Sequence, residues 1–428
     1  MLKKIFYILL LFISITAVGQ RTNSSPYSFF GIGQQYSSQT VEQASMGGIG
    51  IAFSDTYHLN FLNPASIANL RFTTYTVGLL VNDLTIKDFS GSQKSTSTNL
   101  SYVNIGFPIG NKAGVSFGLK PNSSVGYSLF NISKDSEGSA IDVTRFYGVG
   151  GTNKIYGTFG LFVTKNLSVG VEAEYVFGKV ENSVLFQESG VQLASKNTET
   201  LSLRGAGLKL GLHYKKELTN KLTMSAGAVV KFENDIKSTG NEYLYSLVVQ
   251  NSSFEEPRDT TYNSSTTGIL KNPIRTSLGF GLGKRDKWYA GANYEFQNAI
   301  DLQGSLLSSS NTYSYGDSNK FSLGGFYLPK MNSISSYWNR VTYRAGVRFE
   351  KTGLLVNNTA TTNGLTEIND FGMSFGLGLP LKGVSNLNLG VEYGKKGTTE
   401  NNLIQENYFN FRMSISLNDI WFVKRRID

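Results

Sequence analysis

The feature that most constrains this chain is a period-two alternation of apolar and polar residues, sustained over arms of about ten residues or more. Between Ile155 and Phe177, Tyr156, Thr158, Gly160 and Phe162 alternate with Ile155, Gly157, Phe159, Leu161 and Val163, and Lys165-Asn166 turns the chain. Leu167, Val169, Val171, Ala173, Tyr175 and Phe177 then share one face, with Ser168, Gly170, Glu172 and Glu174 on the other. Side chains alternate across a strand, so each arm reads as β-strand with one apolar face. Soluble strands average about 5–6 residues. Arms of this length suit the ~9–11 tilted residues that a hydrocarbon layer requires.

The same counting pairs Leu201–Tyr214 with Leu222–Phe232, Ile274–Leu282 with Trp288–Phe296, and Phe371–Leu381 with Leu387–Tyr393. It predicts about fourteen strands, near 71–86, 97–110, 113–131, 138–164, 167–184, 199–215, 221–237, 267–283, 287–299, 317–329, 339–353, 367–381, 386–398 and 405–417. The connections alternate. Those near 111–112, 165–166, 216–220, 284–286, 330–338 and 382–385 are mostly short, and the others are mostly longer and rich in Ser, Thr, Asn and Gly. An even number of antiparallel strands with short turns at one end and long loops at the other predicts an all-β transmembrane up-and-down barrel. Lipid offers no partner to an open sheet edge, so the sheet must close. A soluble barrel also alternates, but it hides its apolar face and shows charge outside. Here one face of each strand is nearly free of charge. Aromatics recur at strand ends, among them Tyr75, Phe107, Tyr175, Trp288, Tyr343, Tyr393 and Phe409, as at the two water boundaries of a membrane.

Composition narrows the chemistry. The 428 residues include no Cys and two well-separated histidines, His58 and His213, which argues against thiolate or His-based metal sites. No cofactor is called for. The net charge of +9 is spread along the sequence apart from Lys424-Arg425-Arg426, without a nucleic-acid-binding motif; it permits a weak pull toward acidic lipid or a periplasmic partner. Lys3-Lys4, the apolar run Ile5–Ile15, and small residues at Ala17 and Gly19 read as a secretory signal over 1–19, cleaved before Gln20.

Residues 20–70 do not alternate. They hold Gly31, Gly33, Gly47, Gly48 and Gly50, many apolar residues, and the turn-like Asn63-Pro64-Ala65-Ser66. Ser28–Tyr36, then Ala44-Ser45-Met46-Gly47-Gly48-Ile49-Gly50-Ile51-Ala52, Asp55 and Asn63-Pro64-Ala65 resemble the start of the FadL/TodX-type family of outer-membrane fatty-acid and hydrocarbon transporters. The chain departs from that family in having Ser66 where members often have Gly. The resemblance implies a small N-terminal hatch in the lumen of a fourteen-stranded barrel. It also implies that the run around Gly150 and Gly151 is a kinked strand opening a lateral exit. From the residues alone, Asn63-Pro64-Ala65 is a turn leading to the barrel wall, and Gly150-Gly151 is a bulge or bend.

Inward charges are expected at Glu172, Glu174, Lys209, Arg275, Glu295, Arg344, Arg348, Asp370, Glu392 and Arg412. Arg344 and Arg348 would face Asp370, then Glu392, then Arg412, as a paired network or as a site for a ligand carboxylate. Two G-x-S-x-G matches, Gly114–Gly118 and Gly372–Gly376, fall inside alternating strands and lack the strand-turn-helix that exposes a nucleophile, so no enzyme is expected. The chain therefore reads as a signal at 1–19, a hatch at 20–70, an outer-membrane barrel at 71–417 and a periplasmic tail at 418–428, with both termini periplasmic. The expected function is passive uptake of hydrophobic compounds such as long-chain fatty acids. The alternative is a barrel subunit of an outer-membrane protein secretion or assembly complex. The expected partners are outer-membrane lipid, a hydrophobic ligand and, in the alternative, that complex.

Overall fold

The computed structural model describes residues 23–218, 222–250, 254–304, 312–357, 364–381 and 383–421. The signal expected at 1–19 and Lys424-Arg425-Arg426 lie outside them. Among the described residues no helix is long and apolar enough to cross a membrane.

Fourteen antiparallel strands form one closed sheet. The first six are β1 (Thr73–Lys87), β2 (Ser92–Ile109), β3 (Ala113–Lys134), β4 (Ala140–Phe162), β5 (Leu167–Glu188) and β6 (Leu193–Glu217). The next four are each interrupted once: β7 (Leu222–Lys231, Asn234–Gln250), β8 (Phe254–Asn272, Arg275–Lys284), β9 (Trp288–Gln297, Asp301–Gly304) and β10 (Tyr313–Tyr315, Ser318–Tyr327). The last are β11 (Thr342–Val356), β12 (Thr366–Pro380), β13 (Asn386–Gly397) and β14 (Gln405–Asp419). β14 pairs with β1 in an unbroken ladder from Asp419↔Thr73 to Gln405↔Lys87, which removes both sheet edges.

The alternation sets the two faces. On β5, Tyr175 and Phe177 are exposed on the outside, while Glu172 and Glu174 are buried on the inside. On β14, Phe409, Phe411, Ile415 and Leu417 face outward. The expected long loops at the second end are largely strand. β6 runs for 25 residues, and the arms Asn234–Gln250 and Phe254–Asn272 pair as a hairpin far above the span a membrane needs. Those arms are rich in Thr, Ser and Asn, and a hairpin standing in water needs pairing but no continuous apolar face. At the short-turn end one connection, 328–341, is longer than the rest and carries a 3₁₀ turn at Trp338–Arg340.

Residues 23–72 precede β1 and contain a 3₁₀ turn at Pro26–Phe29, a two-residue strand at Gln34–Gln35, helix α1 (Val41–Ala44) and a 3₁₀ helix at Pro64–Asn69. Thr40 and Gln43 cap α1 reciprocally, which stabilises a helix of a single turn. The segment touches the inner faces of strands around the ring: Ser124 on β3, Leu212 on β6, Ser374 on β12, Asn388 on β13 and Glu406 on β14. A buried segment with partners on opposite walls lies within the lumen. Asn23, the first described residue, donates its side-chain amide to the Ser124 carbonyl midway up β3.

Candidate functional site

The lumen is filled in three layers. The layer nearest the short turns is residues 40–70 seated on bare backbone. Asn63 is fully buried and accepts from the Ala65 N–H at 3.0 Å, while its Nδ2 donates to the carbonyls of Ile51 (2.7 Å) and Leu212 (2.9 Å). Pro64 and Ala65 lie against Gly160, Gly170 and Gly211, which are register neighbours on β4, β5 and β6. A Cβ on Gly170 would stand 2.4 Å from the Pro64 carbonyl carbon. Across the barrel, Met46 and Gly47 lie on Gly324 and Gly346, which are paired on β10 and β11. Side chains there would hold the segment off the wall, so the glycines set how closely it seats.

Above it runs a belt of charge. Glu172 is 2.9 Å from Lys209 and 3.9 Å from Lys120, whose ammonium sits 3.9 Å over the Tyr156 ring. Glu174 lies between Lys154 at 3.4 Å and Lys231. Arg275 and Glu295 are 3.7 Å apart. On the opposite wall Arg348 donates to Glu392 (2.8 Å), Asp370 (3.0 Å), Glu350 (3.0 Å) and the Tyr408 hydroxyl (2.7 Å), and Arg412 pairs with Glu392 on its far side. Opposite charges in contact offset the cost of holding them out of bulk water. Arg344 stands apart from this network. It is four residues nearer the short turns and donates to Asn388 Oδ1 at 3.1 Å, whose amide in turn donates to Glu42 at 2.7 Å. It thus belongs to the seat of α1, which the strand pattern by itself did not disclose.

The layer toward the long-loop end is apolar. Ile32 packs with Val125, Val176, Leu201, Ile236 and Leu270 from β3 to β8, and Tyr27 packs with Leu354, Val356, Ile368 and Leu403. Among the described residues, cavities of about 120 and 280 Å³ lie in the lumen. Both border the charged belt, the smaller at Glu174, Lys231 and Arg275, the larger at Arg348, Asp370 and Glu392.

Between β2 and β3 the wall is interrupted. Their ladder runs only from Ile109↔Ala113 to Val103↔Leu119. Just above it β2 shifts register at Ser101 and β3 shifts at Asn122, and two bulges bend the strands apart. The N-terminal segment fills the fork: Gln34 and Gln35 pair with Ser124 and Ser123, the Tyr36 N–H donates to the Asn122 carbonyl at 2.9 Å, and Asn99 on β2 donates to the Tyr36 hydroxyl at 3.2 Å. At Gly150 and Gly151 the ladder continues on both sides, to Val125 and Ser124 and to Val180 and Lys179. Both glycines have positive φ, so the strand bends there without parting, and the gap expected at those residues lies on the other edge of β3.

The remaining candidates are absorbed by packing. Ser116 and Ser374 sit within β3 and β12, and Ser374 Oγ accepts the Gly47 N–H at 2.9 Å. His213 Nε2 lies 3.0 Å from the Ala52 carbonyl. His58 was assigned no role by sequence; its Nδ1 is 2.7 Å from Asp55, and its Nε2 is 3.8 Å from Glu42. Burial alone would push the Asp55 carboxyl up, but His58 and the N–H groups of Tyr57 and Thr56 hold it at about 2. Burial would likewise lower His58, yet Asp55 and then Glu42 raise it overall.

The BamG family model matches residues 1–428. No curated protein sequence matches the chain. Among solved structures, the CymD monoaromatic hydrocarbon channel aligns with TM-score 0.56 at 17% identity, over 91% of this chain and 99% of that one. A Pseudomonas aeruginosa FadL homologue aligns with TM-score 0.58 at 14% identity, over 90% and 98%. The Pseudomonas putida toluene transporter TodX aligns with TM-score 0.58 at 16% identity, over 90% and 98%. At these identities the likeness establishes the fold, a FadL-type β-barrel.

Proposed function

This chain belongs to the BamG family, and from that premise we propose that it works as a plugged FadL-type barrel within an outer-membrane protein secretion or assembly complex. The observation that carries the reading is the charged belt across the lumen. An apolar solute moving down the axis would have to pass between paired Lys, Arg, Asp and Glu side chains, and ligand pockets for such solutes are predominantly apolar. The cavities of about 120 and 280 Å³ border that belt. In this reading residues 20–70 are a hatch that keeps the barrel sealed, and the long-loop end faces outward.

A second reading, passive uptake of hydrophobic compounds such as long-chain fatty acids, is favoured by the fork between β2 and β3. A solute shed sideways there would avoid the charged belt, and structural neighbours carry hydrocarbon-channel and toluene-transporter names.

One experiment separates the two. The tagged full chain is isolated from gently solubilised outer membranes, its bound lipids and proteins are identified by mass spectrometry, and fatty-acid uptake is measured in a deletion strain. Stoichiometric protein partners, no retained fatty acid and normal uptake are expected. A retained apolar ligand together with lost uptake would overturn the first reading in favour of the second.

A further inference from the structure

The strand boundaries sort the charge along the barrel axis. Each of the six connections at the short-turn end carries Lys or Arg in its sequence: Lys112, Lys165, Lys221, Arg285 with Lys287, Lys330 with Arg340, and Lys382. Asp286 is the one acid among them. The seven connections at the other end contain no Lys or Arg and hold Asp88, Asp135, Glu137 and Glu400. The extended arms near that end carry both signs, so the bias belongs to the short-turn rim. Lys112, Lys165, Lys287, Lys330 and Arg340 are all exposed.

The same rim carries apolar and aromatic residues turned toward the outside of the barrel. In connection 328–341, Trp338 is 62% and Ile334 104% exposed. The connection is fixed against the outer wall: the Trp338 carbonyl accepts from the hydroxyl of outward-facing Tyr343, Tyr337 donates to the Pro380 carbonyl, and Arg340 covers the Tyr337 ring at 5.3 Å. Around the circumference, Trp421 packs on Tyr75 and Phe107 at the β14–β1 seam. Tryptophan at the edge of an apolar band sits at the level of lipid headgroups.

We propose that the short-turn rim is a binding surface for anionic phospholipid headgroups in the leaflet on its side, with Trp338 and Trp421 as interfacial anchors and Lys165, Lys287, Lys330 and Arg340 contacting phosphate. The ring geometry favours lipid over a protein partner. A docked protein would meet one sector of the rim, whereas basic residues in all six connections match a surround that is anionic on every side. Basic residues beside a membrane attract acidic lipid individually and are screened by salt.

The test uses the purified full chain in nanodiscs of equimolar dioleoylphosphatidylcholine and dioleoylphosphatidylglycerol, with the lipids retained on the protein counted by native mass spectrometry. Phosphatidylglycerol should be enriched at least ~5-fold at low salt, the gain that a single close basic residue provides. The enrichment should collapse near about 1 M salt, where the screening length is ~3 Å. The variant K165Q/K287Q/K330Q/R340Q should lose it while keeping the heat-modifiable mobility of a folded barrel. The control K94Q/K134Q, toward the opposite end, should keep it. Equal retention of both lipids by the unmodified chain, or undiminished selectivity in the rim variant, would overturn the proposal. So would a loss of selectivity as large in the control. Co-purifying protein lost on rim neutralisation, with no lipid preference, would assign the rim to a protein instead.

Discussion

Asn63 on the N-terminal segment and Leu212 on β6 are joined by a 2.9 Å hydrogen bond, amide Nδ2 to main-chain carbonyl, at a point where the Asn63 side chain is fully enclosed. The same side chain spans the turn that starts the Pro64–Asn69 helix and reaches back to Ile51. One residue thus caps a helix, ties two parts of the segment together and fastens both to the wall. Proline at the first helical position leaves the cap nothing to compete with.

Asn63→Ala should therefore loosen the segment without unfolding the barrel. Each buried group left dry costs ~1–3 kcal/mol. Amide exchange of peptides covering 60–70 should accelerate, while that of β11 to β14 should not change. Unaltered exchange at 60–70 would show that the contact holds nothing.

Gly346 makes a steric test of the same seat. A Cβ there would stand 2.2 Å from the Gly47 nitrogen, which is main chain and cannot swing away. Gly346→Val should displace the segment at a cost of ~1–3 kcal/mol or more and raise single-channel conductance in planar bilayers. Gly91→Val, in a connection with open space around it, should conduct like the parent. Equal conductance in the two variants would mean that residues 40–52 do not seal the lumen.

Arg348 holds three carboxylates together; its removal leaves Glu392 with Arg412 and Glu350 with Lys320, but takes from Asp370 its ion-pair partner. Arg348→Met should lower barrel stability toward the lower end of ~3–5 kcal/mol, because the adjoining cavity admits water. Asp370→Asn/Arg348→Met should recover part of that loss, because Asp370 pairs with Arg348 whereas Glu392 keeps Arg412, and urea unfolding in detergent would measure both. A double variant weaker than the single one would contradict the loss of Asp370's ion-pair partner as the cause.

The strand count was legible because lipid permits only long alternating arms, and Leu167 to Phe177 or Phe409 to Leu417 cannot alternate otherwise. The long loops were misjudged where Thr, Ser and Asn arms pair above the membrane, since their pattern carries no apolar face to count. The fork between β2 and β3 hid at Ser101 and Asn122, ordinary polar residues; Pro121 inside a strand was the available signal, as proline in a sheet marks an edge or bulge. The glycines under Pro64 were visible as glycines. That Gly160, Gly170 and Gly211 form one row depends on register between three strands, which no single strand reveals. For that reason Gly170, an inward position by parity alone, has no room for a Cβ against the Pro64 main chain.

His58 gives the seat a pH dependence whose sign follows from its neighbours. Asp55 and Glu42 face it, with Arg344 and, beyond Asp55, Lys215 opposing or balancing them. Its pKa is raised above 6.5 in the fold, so its stabilising contribution is complete below the unfolded value and fades as pH rises through the folded one. Asp55, held at about 2, contributes above its unfolded value near 3.8 and loses that contribution as pH falls toward 2. The Asp55–His58 clasp should therefore be tightest between about pH 4 and 6.5 and should weaken in alkaline buffer. Amide exchange of residues 53–60, corrected for intrinsic rates, should show protection falling from pH 6 to pH 8.5. In His58→Gln that fall should vanish while protection at β5 stays the same. Protection that is flat with pH in the parent chain, or that falls equally in the variant, would remove His58 as the titrating group.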